Sequence, residues 1–306
     1  MLNEQPPEVQ PPDVKSERRV HPLEREAPPS KMPGSGEEPP RRQVTLHIPS
    51  VRPLVTYSLL AVMIAIFVLR AVSPTLDIAL LDWGANQRDL VLGQGEIHRL
   101  FTSIFLHASI YGAYGQFALQ NSLHLIFNAY IIWAAGATIE RLFGHVRYAL
   151  VFILGGLAGS VLSAVLGEGT YSVGASGAVF AILGAEFVYL YQHRKLLGTG
   201  GRRQMMGLVQ LAVINLLFGL LTNATDAAIR IDNWAHIGGA LGGLALGFAI
   251  GPIFIVSKHP TIAGHLLAED INPLRRRWWT LSIYSIVVMV ILILARASYF
   301  PYVNGA

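Results

Sequence analysis

The chain has no cysteine among its 306 residues and little charge, with Asp, Glu, Lys and Arg together at 14%, where an ordinary soluble domain carries about a quarter. The missing thiols exclude a disulfide framework, Cys-ligated zinc, iron–sulfur clusters and a cysteine nucleophile. The scarcity of charge, with 52% hydrophobic residues and a mean hydropathy of +0.45, defines a multi-pass membrane protein. No HExxH occurs, which removes an intramembrane metalloprotease. There is also no internal repeat of the kind a transporter predicts. The net charge of +4 does not point to nucleic acid, because the basic residues flank apolar runs in short loops, where they set orientation. No metal and no cofactor are expected.

Proline is plentiful in one place only: eleven of the seventeen prolines fall within residues 1–50, with charges of both signs. Such a composition cannot bury enough apolar surface to order itself, so residues 1–50 are expected to be a disordered cytoplasmic tail. It lacks a signal-peptide core, and its glutamates argue against a mitochondrial transit peptide. Apolar runs long enough to cross a bilayer, about 20 helical residues each, fall near 53–72, 118–137, 147–167, 173–192, 205–222, 233–256 and 279–296. A connector of about 45 residues separates the first two; it is too broken to span, and is expected to lie at the interface with Trp83, Tyr111 and Tyr114 at headgroup level. Lys and Arg cluster in every second loop, which predicts a cytoplasmic N-terminus and an external C-terminus for seven spans.

The question of function centres on GASGAVFAILG at 174–184. Ser176 sits about 5 Å into the fourth span, and His236 lies a similar distance into the sixth, which runs the same way. The second span carries His124 and Asn128, four residues apart on one helix face. Of the ten histidines, only His124 and His236 fall well inside the spans. A serine hydroxyl becomes a nucleophile when a positioned imidazole takes its proton. The developing oxyanion then needs fixed donors, which the Asn128 amide, the His124 imidazole and the free N–H groups at the start of the Ser176 helix could supply. No carboxylate is placed to orient His236, so a dyad is expected, with Phe180 one turn below Ser176 packing on the imidazole. Each residue alone also has a structural reading. Ser176 suits a close helix contact, His236 a buried histidine or a metal ligand, and His124 with Asn128 an interhelical hydrogen-bond pair. Glu186 reads as a neutral or hydrogen-bonded carboxyl, and His107, His145 and His193 as interfacial residues without a special role. Glycines recur along the fourth and sixth spans at spacings that let backbones approach.

GASG around Ser176, AHIGG around His236, HLIFN at 124–128, HRLFTSIFLH at 98–107 and ERLFG at 140–144 together resemble the rhomboid intramembrane serine proteases, over roughly residues 53 to 256. The resemblance implies an all-α polytopic fold: a six-helix bundle over 51–256, then, over 257–306, a cytoplasmic linker and an additional seventh C-terminal transmembrane helix. It implies a serine endopeptidase that cleaves single-span membrane proteins near the outer face, with the lipid bilayer as its other partner. Ser176 would be the nucleophile and His236 the general base and acid; His124, Asn128 and the Ser176 amide would stabilise the oxyanion, and Gly174 would shape the hole. Arg99 and Glu140 match positions that hold the first loop. The expected address is the bacterial cytoplasmic membrane. Phe180 stands where the family often has Tyr, His98 where Trp is common, and ASIYGAYGQFALQNS is an insertion before HLIFN. The alternative is a non-catalytic rhomboid-like chaperone or trafficking factor; relatives of that kind typically lack the serine or the histidine.

Overall fold

A computed structural model of the chain describes residues 45–47, 49–112, 116, 118–167, 171–225, 231–258 and 265–304. The proline-rich tail up to residue 44, Tyr114, and the loop charges Glu168, Asp226 and Arg230 lie outside the described residues. The fold is mostly helical. Helix α1 spans Leu54–Arg70 and α2 spans Pro74–Gly84; a six-residue π-helix, Asp89–Gln94, leads to the short α3, Arg99–Thr102. Next come α4 (Leu123–Ile131), a π-helical turn (Ile132–Gly136) and α5 (Ala137–Phe143), which form one continuous rod. Helices α6 (His145–Leu166), α7 (Ser176–Gln192), α8 (Arg194–Asn223), α9 (Asn233–Ile250) and α10 (Trp278–Asn304) complete the helical set.

Four helical stretches among the described residues are long and apolar enough to cross a membrane: Leu123–Phe143, His145–Leu166, Arg194–Asn223 and Trp278–Phe300. Helix α1 is a shorter apolar helix of 17 residues. The other two expected spans coincide with α7, of 17 residues, and α9, of 18 residues. Both are shielded by protein over much of their length.

Local chemistry sets the ends of these elements. Helix α2, in the connector, begins where Ser73 Oγ accepts from Leu76 N–H at 3.1 Å and Pro74 supplies the first helical residue. Helix α9 stops at Ile250 instead of continuing to 256. Gly251 precedes Pro252 and takes an extended ψ of 143°, because a residue before proline is driven out of the helical region. Helix α8 starts eleven residues before the expected 205 and bends at Gly198, whose φ of 54° and ψ of −138° break the helical path.

The sequence predicts no strands, yet three short ones form a sheet in the order β1-β3-β2. β1 (Thr45–His47) pairs parallel with β3 (His265–Asp270), and β3 pairs antiparallel with β2 (Phe254–Lys258). The sheet joins the segment before α1 to the linker between α9 and α10. Arg147, at the start of α6, anchors it by pairing with Asp270 at 2.7 Å and donating to the Asn272 carbonyl at 2.6 Å.

Helices α6, α7 and α9 make the most extensive contacts and form the centre. A Cβ built on Gly239 would lie 2.0 Å from the Gly177 carbonyl oxygen, and one on Gly243 would lie 2.0 Å from the Ala181 carbonyl oxygen. On the α6 side, a Cβ on Gly159 would lie 2.7 Å from Ala235 O, and one on Gly155 would lie 2.2 Å from Ala181 Cβ. These backbones touch because hydrogen stands where a side chain would be. Helix α10 lies against α6 and the first connector. Tyr284 Oη donates to Leu154 O at 3.0 Å, and Tyr299 Oη donates to Asp89 Oδ1 at 2.6 Å.

Substituting Gly239 or Gly243 with Val is expected to destabilise the protein by at least about 1–3 kcal/mol, the usual cost of overpacking. Thermal unfolding in detergent checks this. The same change at Gly200, where a Cβ would meet nothing within 4 Å, is expected to leave the α6–α7–α9 core unaffected.

Candidate active site

Helix α7 begins at Ser176 itself, preceded by Ala175, which offers no side-chain cap. The first amides of this helix therefore keep free N–H groups beside the half-buried Ser176. Helix α9 begins at Asn233, so His236 lies in its first turn, with 5% of its surface exposed. The two helix starts lie side by side, because Gly177 and Ala235, the chain neighbours of Ser176 and His236, approach each other closely: a Cβ on Gly177 would lie 3.3 Å from Ala235 O.

The imidazole of His236 stacks on Phe180, with ring centroids 4.3 Å apart and planes within 10°. Phe180 follows Ser176 by one helical turn and so projects from the same face. Its ring therefore holds the imidazole beside the Ser176 helix without needing the hydroxyl of a tyrosine. No hydrogen bond joins Ser176 to His236 in this arrangement, and His236 Nδ1 is buried without a partner. Catalytic hydrogen bonds are often long in ligand-free enzymes and tighten only with substrate.

The sequence reading placed no carboxylate near His236, but Asp232 lies one turn before it and is committed elsewhere. Its Oδ1 caps α9 by accepting from Ala235 N–H at 2.9 Å, and its Oδ2 accepts from Ser163 Oγ and Ser172 Oγ, each at 2.5 Å. The carboxylate thus ties the end of α6 and the strand-like segment before α7 to the start of α9. An Asp immediately before an apolar helix is a legible N-cap signal; its two serine partners come from distant segments and leave no local pattern.

The opposite wall carries His124 and Asn128. Gly174 has a φ of 126°, a region that side-chain-bearing residues rarely enter, and a Cβ there would lie 2.6 Å from His124 Cε1. Glycine is required both by its backbone angle and by the close imidazole. Its N–H donates to Ser103 O at 2.9 Å, so Gly174 shapes the wall while its amide is already engaged. Asn128 is buried and donates from Nδ2 to His124 O at 2.9 Å, which leaves its second amide hydrogen available. The structure thus brings Ser176, His236, Phe180, Gly174 and His124 into one neighbourhood, with Asn128 one turn along the His124 helix.

Arg99 and Glu140 lie elsewhere and hold different things. Arg99 Nε donates to Glu96 at 2.6 Å and Nη1 donates to Ala85 O at 3.0 Å, closing the first connector on itself. Glu140 is fully buried and accepts from Val55 N, Thr56 N, Thr56 Oγ1 and His145 Nδ1 at 2.6–2.8 Å, which locks the start of α1 to the α5–α6 corner. The His98 ring packs against Trp83 at a tilt of 34° with centroids 5.1 Å apart, so an indole does stand beside the Arg99 helix, supplied from α2. Glu186 accepts from Gln204 Nε2 at 2.6 Å, far from the serine.

Two of the histidines expected to lie at the membrane interface are buried within the protein. His193 receives the Phe254 N–H at Nε2, 2.9 Å, so its Nδ1 carries the proton and donates to Tyr189 O at 2.8 Å. His107 is 1% exposed, and its ring meets the His124 ring edge-on at 5.4 Å. Because His107 lies within the irregular segment after α3, its burial has no periodic signal in the sequence.

Comparison with known proteins places this arrangement in a class. Residues 94–253 match the family model described as Rhomboid domain, and the chain belongs to the rhomboid family. It is similar to the protein named Rhomboid protease GluP of Bacillus subtilis (strain 168), with 34% identity over 203 residues that cover 65% of this chain and 35% of that protein. It is also similar to RHOMBOID-like protein 1 of Arabidopsis thaliana, 35% identical over 165 residues covering 54% of this chain and 37% of that one. RHOMBOID-like protein 6, mitochondrial, of the same plant is 33% identical over 179 residues, covering 58% and 50%. The chain spans between about a third and half the length of these relatives. Family and apolar helices together make it a multi-pass membrane protein.

Replacing Asp232 with Ala removes the α9 cap and both serine contacts. It is expected to cost about 1–2 kcal/mol, the range for a lost N-cap, read as a lower unfolding midpoint and as faster amide exchange over residues 232–236.

Proposed function

We propose that the protein is an intramembrane serine endopeptidase that uses a Ser176–His236 dyad to cleave single-span membrane proteins near the outer membrane face. The observation that carries the reading is the stacking of His236 on Phe180, one turn from Ser176, where two glycine-lined helices meet. In this reaction His236 takes the Ser176 proton as Oγ attacks the scissile carbonyl, then delivers it to the leaving amine. A water molecule, activated by the same imidazole, hydrolyses the acyl-enzyme. The His124 imidazole, the Asn128 amide and the free N–H groups at the start of α7 stabilise the oxyanion. His236 Nδ1 has no carboxylate to orient it, so packing on Phe180 performs that task. The topology expected from the distribution of Lys and Arg, seven spans with a cytoplasmic N-terminus, would set the starts of α7 and α9 toward the outer face, and the proposal of cleavage there rests on that expectation.

Ser176→Ala and His236→Ala are each expected to abolish cleavage of a single-span substrate in liposomes without unfolding the protein. His124→Ala is expected to lower kcat by about 10²–10³-fold, the usual effect of one lost oxyanion donor. A serine-directed fluorophosphonate should label wild type and spare Ser176→Ala. Absence of labelling in folded wild type would favour a non-catalytic protein that only binds transmembrane helices.

A further inference from the structure

The segment that carries His107 is held by a buried ion pair outside the catalytic groups. Arg70, the last residue of α1, and Asp77, in α2, are 1% and 2% exposed, and Arg70 Nη2 lies 2.7 Å from Asp77 Oδ1. Each partner also reaches the chain beyond α3. Arg70 Nη1 donates to His107 O at 2.6 Å, and Asp77 Oδ2 accepts from the Ser109 hydroxyl. The pair therefore grips both sides of Ala108. Ser109 extends the grip, since Asn121 Nδ2 donates to Ser109 O at 2.8 Å, and Asn121 lies three residues before His124.

Two routes thus run from the ion pair to His124. One passes through the His107 carbonyl to its ring, which meets the His124 ring edge-on at 5.4 Å. The other passes through Ser109 and Asn121 to the turn that opens α4. Between these anchors lies the insertion, whose described end is the 3-10 turn Leu119–Ser122 that leads into α4. Net stabilisation does not by itself account for the pair: buried ion pairs are often matched or exceeded in stability by apolar residues of similar size. What apolar residues cannot supply is directed contact with the His107 carbonyl and the Ser109 hydroxyl.

We propose that Arg70 and Asp77 are positioning residues that fix His124 at the oxyanion side of the site by clamping residues 107–109. The proposal rests on the hydrolase reading for its catalytic consequence, while the placement of the His124 ring can be followed without turnover. Two variants separate placement from folding: Asp77→Asn, which leaves a buried guanidinium without its counter-charge, and the double change Arg70→Met with Asp77→Leu, which replaces the pair by apolar volume. The full chain in detergent or liposomes is assayed for unfolding midpoint, for kcat and KM on a single-span substrate, and for the ring resonances of selectively labelled His124.

The double variant is expected to keep its unfolding midpoint within a few degrees and its KM within about twofold. Its kcat should fall by roughly ten- to a hundredfold, the range that a misplacement of about 1 Å produces, and the His124 resonances should shift. Asp77→Asn should shift the same resonances. A folded double variant with wild-type kcat and unshifted His124 resonances overturns the proposal. So does a loss of kcat that appears only in step with loss of the fold. Failure of the hydrolase reading would show differently, as wild type that neither cleaves nor labels at Ser176; the His124 resonances of the double variant then still decide whether the clamp positions that ring.

Discussion

Contact between the backbones of α7 and α9 at Gly177 with Gly239, and at Ala181 with Gly243, is the constraint on which the rest of the molecule depends. In a bilayer the lipid tails are as apolar as leucine, so helices do not associate to hide hydrocarbon; they associate through close packing and hydrogen bonds. Small residues allow that packing to include the main chain. The result reaches the chemistry directly, since Ser176 and His236 are sequence neighbours of Gly177 and Ala235. The separation between hydroxyl and imidazole is thereby set by atoms that are missing, namely the side chains that Gly177 and Gly239 do not have. Helix α6 closes the triangle through Gly155 and Gly159, so the two catalytic candidates stand on a core of three mutually packed helices.

The other helices are held quite differently. Most of α8 is exposed, with Ile214, Leu217, Phe218 and Leu221 all more than half accessible, and it meets the core through Met205, Leu208 and Leu211 and through a few polar contacts. Gln204 reaches Glu186, Asn233 donates to Leu216 O at 3.1 Å, and Asn223 pairs with the main chain of Ile231. Helix α10 is also mostly exposed, yet it meets the first connector through Tyr299 on Asp89 and through Arg88, 5.9 Å above the Tyr299 ring. The connector is therefore supported on one side by α10 and α6, and on the other by the Arg70–Asp77 pair.

What the sequence discloses follows from which features are periodic. Glycines at helical spacing in α7 and α9, and Ser176, His236 and His124 near the starts of apolar runs, are local patterns, and the helices and the candidate site were legible from them. The three-stranded sheet was not, because strands of three to six residues in polar connections carry too few alternations to stand out, and the pairing of β1 with β3 joins segments more than 200 residues apart in the chain. The early start of α8 was hidden because RKLLGTGGRRQ reads as a basic loop; its glycines and charges continue a helix here after a bend at Gly198. The burial of His107 and the second role of Asp232 depend on partners supplied by other segments. A sequence records such partners only as scattered serines and asparagines.

Those scattered polar groups solve a problem that the glycine core creates. Helices packed backbone to backbone leave little room for polar side chains between them, so hydrogen-bonding chemistry is displaced to the helix ends. Asp232 gathers Ser163 and Ser172 at one such place. Beside it, Asn86 donates from Nδ2 to Ser160 O at 2.9 Å, while its main chain exchanges hydrogen bonds with Ser172. The end of α6, the approach to α7 and the start of α9 are thus joined by the Asp232 and Asn86 side chains, with Asn86 Oδ1 left buried without a partner. The proposed hydrolysis would need a polar approach for water that does not loosen the core. A polar network at the helix starts suits that need, because it binds the three ends together beside Ser176 and His236.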